Sequence, residues 1–223
     1  MTASWEVEAI AGPVASLLSL PGAEGRTARI LTPEDRALVL GSTQPEGHVD
    51  SAAAAATETA VFRRDSGGGA VLVGPGLTLW ADVTVPVGDR LWCADVGQAF
   101  WWLGDVWAAA LADAGLPGAE VWRGPLLRGR WSDRVCFAGL GPGEVRVAGA
   151  KVVGMAQRRT RSGSRFHCAV TIVWRPEDLV ALLALDAGER VRAAVELAPV
   201  AAGVGADVAR RLVPAFFDRL PGP

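Results

Sequence analysis

Lysine is almost missing from this 223-residue chain: of 22 cationic side chains, Lys151 is the single lysine and the rest are arginine. Cysteine is scarce as well. Cys93, Cys136 and Cys168 cannot all pair with one another, and none has the short CxxC spacing of a zinc site. That excludes a disulfide framework and a metal centre of that type, and it fits reduced thiols in a cytoplasm. No run approaches the ~18 apolar residues of a membrane span. The segment Met1 to Glu8 carries Glu6 and Glu8 where a secretion signal is basic, which again predicts a cytoplasmic protein. There is no excess of positive charge: a net charge of −2 and a pI near 5.7 argue against a general binder of nucleic acid or anionic membranes. Internal repeats and long polar linkers are absent too, and half of the residues are hydrophobic, so residues 1–223 are expected to share one core as a single domain.

What is present alternates short strands and a few helices. Apolar positions on either side of Pro33-Glu34-Asp35 predict two strands over 26–40, and Asp50 or Ser51 can cap an alanine-rich helix to Thr57. Strands are expected at Ala60–Arg63, Ala70–Val73, 77–85 and Phe166–Trp174. Val96, Phe100, Leu103, Trp107 and Leu111 recur at helical spacing and predict a helix over 95–114 with one apolar stripe. Glu144–Val147 and Val152–Ala156 read as a hairpin turning at Ala148-Gly149, with Lys151 opening its second strand. Helices are predicted at Pro176–Leu185 and at Ala206–Leu220, the latter interrupted or bent by Pro214. The sum is an α+β fold with a mixed, largely antiparallel sheet flanked by helices.

Two segments carry chemistry. Lys151 lies in Gly149-Ala150-Lys151-Val152-Val153-Gly154-Met155-Ala156, and an ammonium is a compact charge that can point at a carbonyl or phosphate oxygen, which a planar guanidinium does less well. Arg63-Arg64-Asp65-Ser66-Gly67-Gly68-Gly69-Ala70-Val71 puts three glycines between two strands, so backbone amides can approach a carboxylate or phosphate, with two arginines at the same mouth.

Together these segments resemble the lipoate and octanoate branch of the biotin/lipoate protein ligase superfamily. That branch carries an Arg-Arg-x-Ser-Gly-Gly-Gly-Ala-Val loop and a later Gly-x-Lys-x-x-Gly-x-Ala segment, in this order. Gly41-Ser42-Thr43-Gln44 resembles the turn that precedes the loop. The resemblance spans about 26–185, leaving a helical extension over 186–223. It implies that Lys151 is the functional lysine and that Arg63, Arg64, Ser66, Gly67, Gly68, Gly69, Ala70, Val71, Gly154 and Ala156 bind substrate. His167 would support the site. Two features depart from the branch: Leu72-Val73-Gly74 stands where an aromatic residue and His-Asp are common, and Met155 replaces a serine.

The resemblance implies either of two chemistries. Cysteine-dependent octanoyltransferases have Cys-Phe upstream of the lysine, and this chain has Cys136-Phe137; an ammonium near a thiol stabilises the thiolate and can exchange its proton. In that reading Cys136 accepts octanoate from acyl carrier protein, Lys151 holds the acyl carbonyl, and Val71 and Leu79 wall the acyl chain. The alternative is an ATP-dependent lipoate-protein ligase, with ATP and Mg as co-substrates and Cys136 incidental. A non-catalytic acyl- or carrier-binding relative is the second alternative. Lipoate or octanoate is the implied acyl group, with no tightly bound cofactor. Acyl carrier protein and lipoyl carrier domains, or the glycine cleavage H protein, are the implied partners. Cys168, beside His167, is a rival nucleophile, although neighbours in a strand face opposite ways. An acid-free run from Arg146 to Arg175 predicts a local positive field for an acidic partner.

Overall fold

The computed structural model describes residues 4–222; Met1 to Ala3, the start of the segment read for a secretion signal, lie outside it. In chain order the elements are β1 (Glu6–Gly12), α1 (Val14–Leu18), β2 (Thr27–Pro33), β3 (Ala37–Leu40), α2 (Ser51–Ala56), β4 (Ala60–Arg63), β5 (Val71–Val73) and β6 (Thr78–Pro86). There follow α3 (Trp101–Asp113), β7 (Ala119–Val121), β8 (Val145–Val147), β9 (Ala150–Arg159), β10 (Gly163–Thr171), α4 (Pro176–Val180), α5 (Ala187–Leu197) and α6 (Ala206–Asp218). Seven strands form one sheet in the order β1-β2-β6-β10-β9-β8-β7, and β4-β3-β5 form a smaller one. Only β1–β2 and β3–β4 run parallel; the other pairs are antiparallel. This is the mixed, mostly antiparallel α+β architecture expected from the sequence.

Four layers follow from which faces are apolar. One face of the large sheet, with Leu79, Ala81, Val83, Phe166, Cys168 and Val170, packs on α3 and α6. There Trp107 and Phe216 stack with ring centres 4.1 Å apart. The opposite face, through Leu31 and Trp80, meets Ala37, Val39 and Val73 of the small sheet. The far side of the small sheet, at Leu38 and Leu40, is covered by Leu179 to Leu185, Ala193 and Leu197. With both faces covered, eight of the nine residues of β6 are buried.

Local chemistry explains most boundaries. Asp50 caps α2 by accepting from the Ala53 amide. The hairpin turns as expected, because Ala148 and Gly149 both take positive φ, 50° and 84°, the backbone of a tight primed turn. Other elements differ from expectation. β2 and β3 flank their turn but join different sheets. Val96 is 59% exposed and precedes a short 3-10 turn, Gln98–Phe100, so α3 starts only at Trp101 and the apolar stripe begins at Phe100 just ahead of it. The helix expected over Pro176–Leu185 stops at Val180, because its following residues turn to pair with the segment before α2: Asp50 donates to Leu182 O and Ala184 to His48 O. α5 begins at a capping box made by Asp186 and Glu189. α6 passes through Pro214 unbroken, losing the one bond that proline cannot donate.

Candidate active site

Lys151 is buried, with 3% of its surface exposed. A regular ladder would turn it to the face opposite Gly154. Instead β8 and β9 slip between Val145–Val153 and Arg146–Lys151, so Val152 is an extra residue and the lysine is turned towards the Gly154 side. A β-carbon at Gly154 would sit 3.2 Å from Lys151 Cε and 3.3 Å from Phe137 Cζ, so the glycine makes room for the lysine stem. The ammonium has three donors and spends them on three acceptors: Cys136 O at 3.1 Å, Gly139 O at 2.9 Å and Glu144 Oε2 at 2.7 Å. It also lies 5.0 Å from the centre of the Phe137 ring.

Glu144 is the site residue that sequence reasoning did not assign. Buried itself, it accepts from Gly141 N at 2.6 Å and Met155 N at 2.9 Å as well as from Lys151. The available signal was its place: the last acid before the acid-free run, just ahead of the only lysine.

The glycine loop is a seam between backbones. Ala70 N donates to Arg134 O at 2.9 Å and Cys136 N to Ala70 O at 3.0 Å. A β-carbon on Gly69 would lie 2.6 Å from Val135 backbone atoms, and one on Gly41 only 1.9 Å from Gly68 O. Gly68, at φ +99°, adopts a backbone that side chains rarely tolerate. Gln44 holds the turn, accepting from Gly41 N and donating to Arg134 O. Ser66 is buried and its Oγ has no hydrogen-bond partner among the described residues.

Between the two sheets lies a narrow cavity of about 20 Å³, room for little more than one water molecule. Val39, Val71, Val73, Trp80, Ala169 and Met155 give it apolar walls; Arg64, Cys136 and His167 are its polar groups, and Gly154 and Ala156 line it too. Leu79, expected to wall the chain, faces α3 instead, and its neighbour Trp80 lines the cavity, because adjacent strand residues alternate. A second, wider groove of about 640 Å³ is bordered by Gly67, Gly68, Gly69, Gln157, Glu144 and Lys151. Cys136 borders both spaces.

The two arginines of the loop separate. Arg64 is buried and donates to Val39, Gly67 and Gly69 carbonyls. Arg63 turns away from the cavity to the carbonyls of Gly41 and Gln44, and towards Glu46. Cys168 is fully buried against α3, where burial pushes its thiol up to about 12, which makes it unsuited to nucleophilic work at neutral pH. The expected positive field is largely neutralised: Arg146, Arg158, Arg165 and Arg175 pair with Glu120, Asp65, Asp82 and Asp178, and Arg159 binds backbone carbonyls of 93–95.

His167 faces the cavity with its Nε2 unpartnered among the described residues, and burial lowers its pKa from 6.5 to about 4, against a smaller opposing effect of Asp82. The unfolded chain therefore takes up a proton near pH 6.5 that the folded one refuses until about pH 4. Stability should fall as the pH drops through this window, by about 3 kcal/mol at its acid end. In denaturant titrations across it, His167→Gln is expected to flatten that part of the acid slope; an unchanged slope would contradict a neutral, buried imidazole.

No helix among the described residues is long and apolar enough to cross a membrane. Residues 16–204 match the family model described as "Lipoyl protein ligase A/B catalytic domain". Among solved structures, the chain is similar to the bipartite lipoate protein ligase of Thermoplasma acidophilum, studied with its E2 lipoyl domain: 19% identity, TM-score 0.72, covering 96% of this chain and 82% of that one. It is also similar to a lipoate-protein ligase A bound with ATP, at 18% identity and TM-score 0.66, covering 99% and 86%. P. falciparum LipL1 in complex with lipoate matches at 11% identity and TM-score 0.64, covering 99% and 64%. At these identities the likeness is one of fold. A search of curated proteins returns no significant match.

Proposed function

The chain belongs to the lipoyl protein ligase A/B catalytic-domain family, and from that premise we propose that it transfers an octanoyl or lipoyl group to a lysine of a lipoyl carrier domain through a thioester on Cys136. One observation carries this reading: Cys136 stands where the narrow, mostly apolar cavity meets the wide groove. An acyl chain that parts the cavity's apolar walls would present its carbonyl at the sulfur, while the groove admits a donor or acceptor arm.

In the first step the Cys136 sulfur attacks the thioester carbonyl of octanoyl acyl carrier protein. A new C–S bond forms, the carrier thiolate leaves, and it takes up the proton that Cys136 gave up. In the second step the ε-amine of the acceptor lysine attacks the Cys136 thioester, an amide forms and the thiol is regenerated. Lys151 would serve both steps by exchanging one of its carbonyl acceptors, Cys136 O or Gly139 O, for the acyl carbonyl. A lipoyl domain or the glycine cleavage H protein is the proposed acceptor, and the three free cysteines fit a cytoplasmic setting.

A second reading has its own observation: Gly67 to Gly69 and Lys151 border the wide groove rather than the cavity, where an acyl phosphate would lie. There the protein would act as an ATP-dependent lipoate ligase, with ATP and Mg.

Incubation with octanoyl acyl carrier protein without ATP, followed by intact mass measurement, separates the two. A hydroxylamine-labile octanoyl adduct is expected on the parent and on Cys168→Ala, and none on Cys136→Ala. No adduct, with lipoyl transfer that depends on ATP, would replace the transferase by the ligase.

A further inference from the structure

Three cationic side chains are buried among the described residues: Arg26, Arg64 and Lys151. Arg26 has Asp89 as its counter-ion and Lys151 has Glu144. Arg64 has no carboxylate within ion-pair reach among the described residues; carbonyl oxygens alone hold it. A guanidinium is not deprotonated in a protein, and an uncompensated buried charge is costly, so the fold retains a positive charge here that lacks its partner.

The neighbouring group that can supply negative charge is the Cys136 thiol. The point where a side chain on Gly68 would begin lies 2.9 Å from Arg64 Nη2 and 3.8 Å from Cys136 Sγ. Both residues line the same cavity. Burial lowers the pKa of Arg64, and charge on Cys136 acts in the opposite direction.

The other charged or titratable groups around Cys136 do not fill this role. Lys151 and Glu144, from β9 and the loop before β8, neutralise each other on the carbonyl side. His167 of β10 lies across the cavity and is neutral at pH 7 through burial. Asp65 is paired with Arg158, and in the groove Asp133 is paired with Arg128. His48, also in the groove, can carry no negative charge, and burial lowers its pKa.

We propose that Arg64 is a positioning residue whose guanidinium is the counter-charge of the Cys136 thiolate, the two meeting across the bare backbone of Gly68. The loop arginine thus answers the charge of the acyl nucleophile, while Lys151 is left to the carbonyl. This rests on the reading of Cys136 as the nucleophile.

The test is the pH dependence of iodoacetamide alkylation at Cys136, followed by peptide mass in the full chain, with Cys93 as internal reference. In folded Arg64→Gln the pH of half-maximal alkylation at Cys136 should rise by about 1 unit or more, and Arg64→Lys should return most of that shift. A profile that is the same in Arg64→Gln and parent overturns the proposal. Should Arg64→Gln not fold, Cys136→Asp is compared with Cys136→Asn at pH 8. The aspartate is expected to melt several degrees higher by pairing with Arg64, and equal or lower melting overturns the proposal. Acylation and alkylation separate the two readings. An Arg64-dependent alkylation profile without octanoyl transfer sinks the transferase alone, whereas a Cys136 adduct with an Arg64-independent profile sinks only this inference.

Discussion

Lys151→Met is expected to lower stability by about 3–5 kcal/mol, the usual cost of removing one member of a buried ion pair, and to reduce acyl transfer by orders of magnitude. Methionine keeps most of the stem volume but leaves the Glu144 carboxylate, 4% exposed, with only the Gly141 and Met155 amides. The two losses can be separated. Adding Glu144→Gln removes the uncompensated charge, so the double variant should regain much of the stability and none of the transfer. Urea unfolding and single-turnover transfer give the two readouts. A single variant as stable as the parent would mean that the pair is not desolvated in the way its geometry indicates.

The second large effect is expected at Gly41→Ala. A β-carbon there would stand 1.9 Å from Gly68 O and 2.9 Å from Gly68 C, and both are backbone atoms that cannot rotate away. The seam must open, at a cost of about 1–3 kcal/mol for overpacking. Displacing the Gly68 backbone by about 1 Å should slow transfer about 100-fold, since catalytic geometry is that sensitive to position. Gly67→Ala is the control, because nothing lies within 4 Å of a β-carbon at Gly67. It should unfold like the parent. Equal behaviour of the two variants in urea unfolding would show that the seam yields.

What the sequence made legible was local or periodic. The Ala148-Gly149 turn, the Asp50 cap and the run of α3 depend on neighbours along the chain, and the structure has all three. The ordered pair of motifs pointed to the family. What stayed hidden is long-range. Three glycines in a row suggest an approach to a ligand, but nothing nearby says that Gly69 abuts Val135 or that Gly41 abuts Gly68. Arg63 and Arg64 look equivalent until alternation and burial send one inwards and the other to the Gly41 turn. Which of Leu79 and Trp80 faces the cavity depends on a strand phase set by its two partner strands, β2 and β10. The bulge at Val152, which turns Lys151 to the Gly154 side, leaves no mark in the residue types.

The backbone of Lys151 is fixed as firmly as its ammonium. Its amide donates to Val200 O at 2.9 Å and its carbonyl accepts from Ala202 N at 3.0 Å, so the segment between α5 and α6 fastens the start of β9. A free lysine side chain carries about 2 kcal/mol of rotamer entropy. Here that entropy is surrendered when the chain folds. An incoming acyl group therefore meets a lysine with almost no disorder left to lose, and trading one carbonyl for another at the ammonium is close to an even exchange.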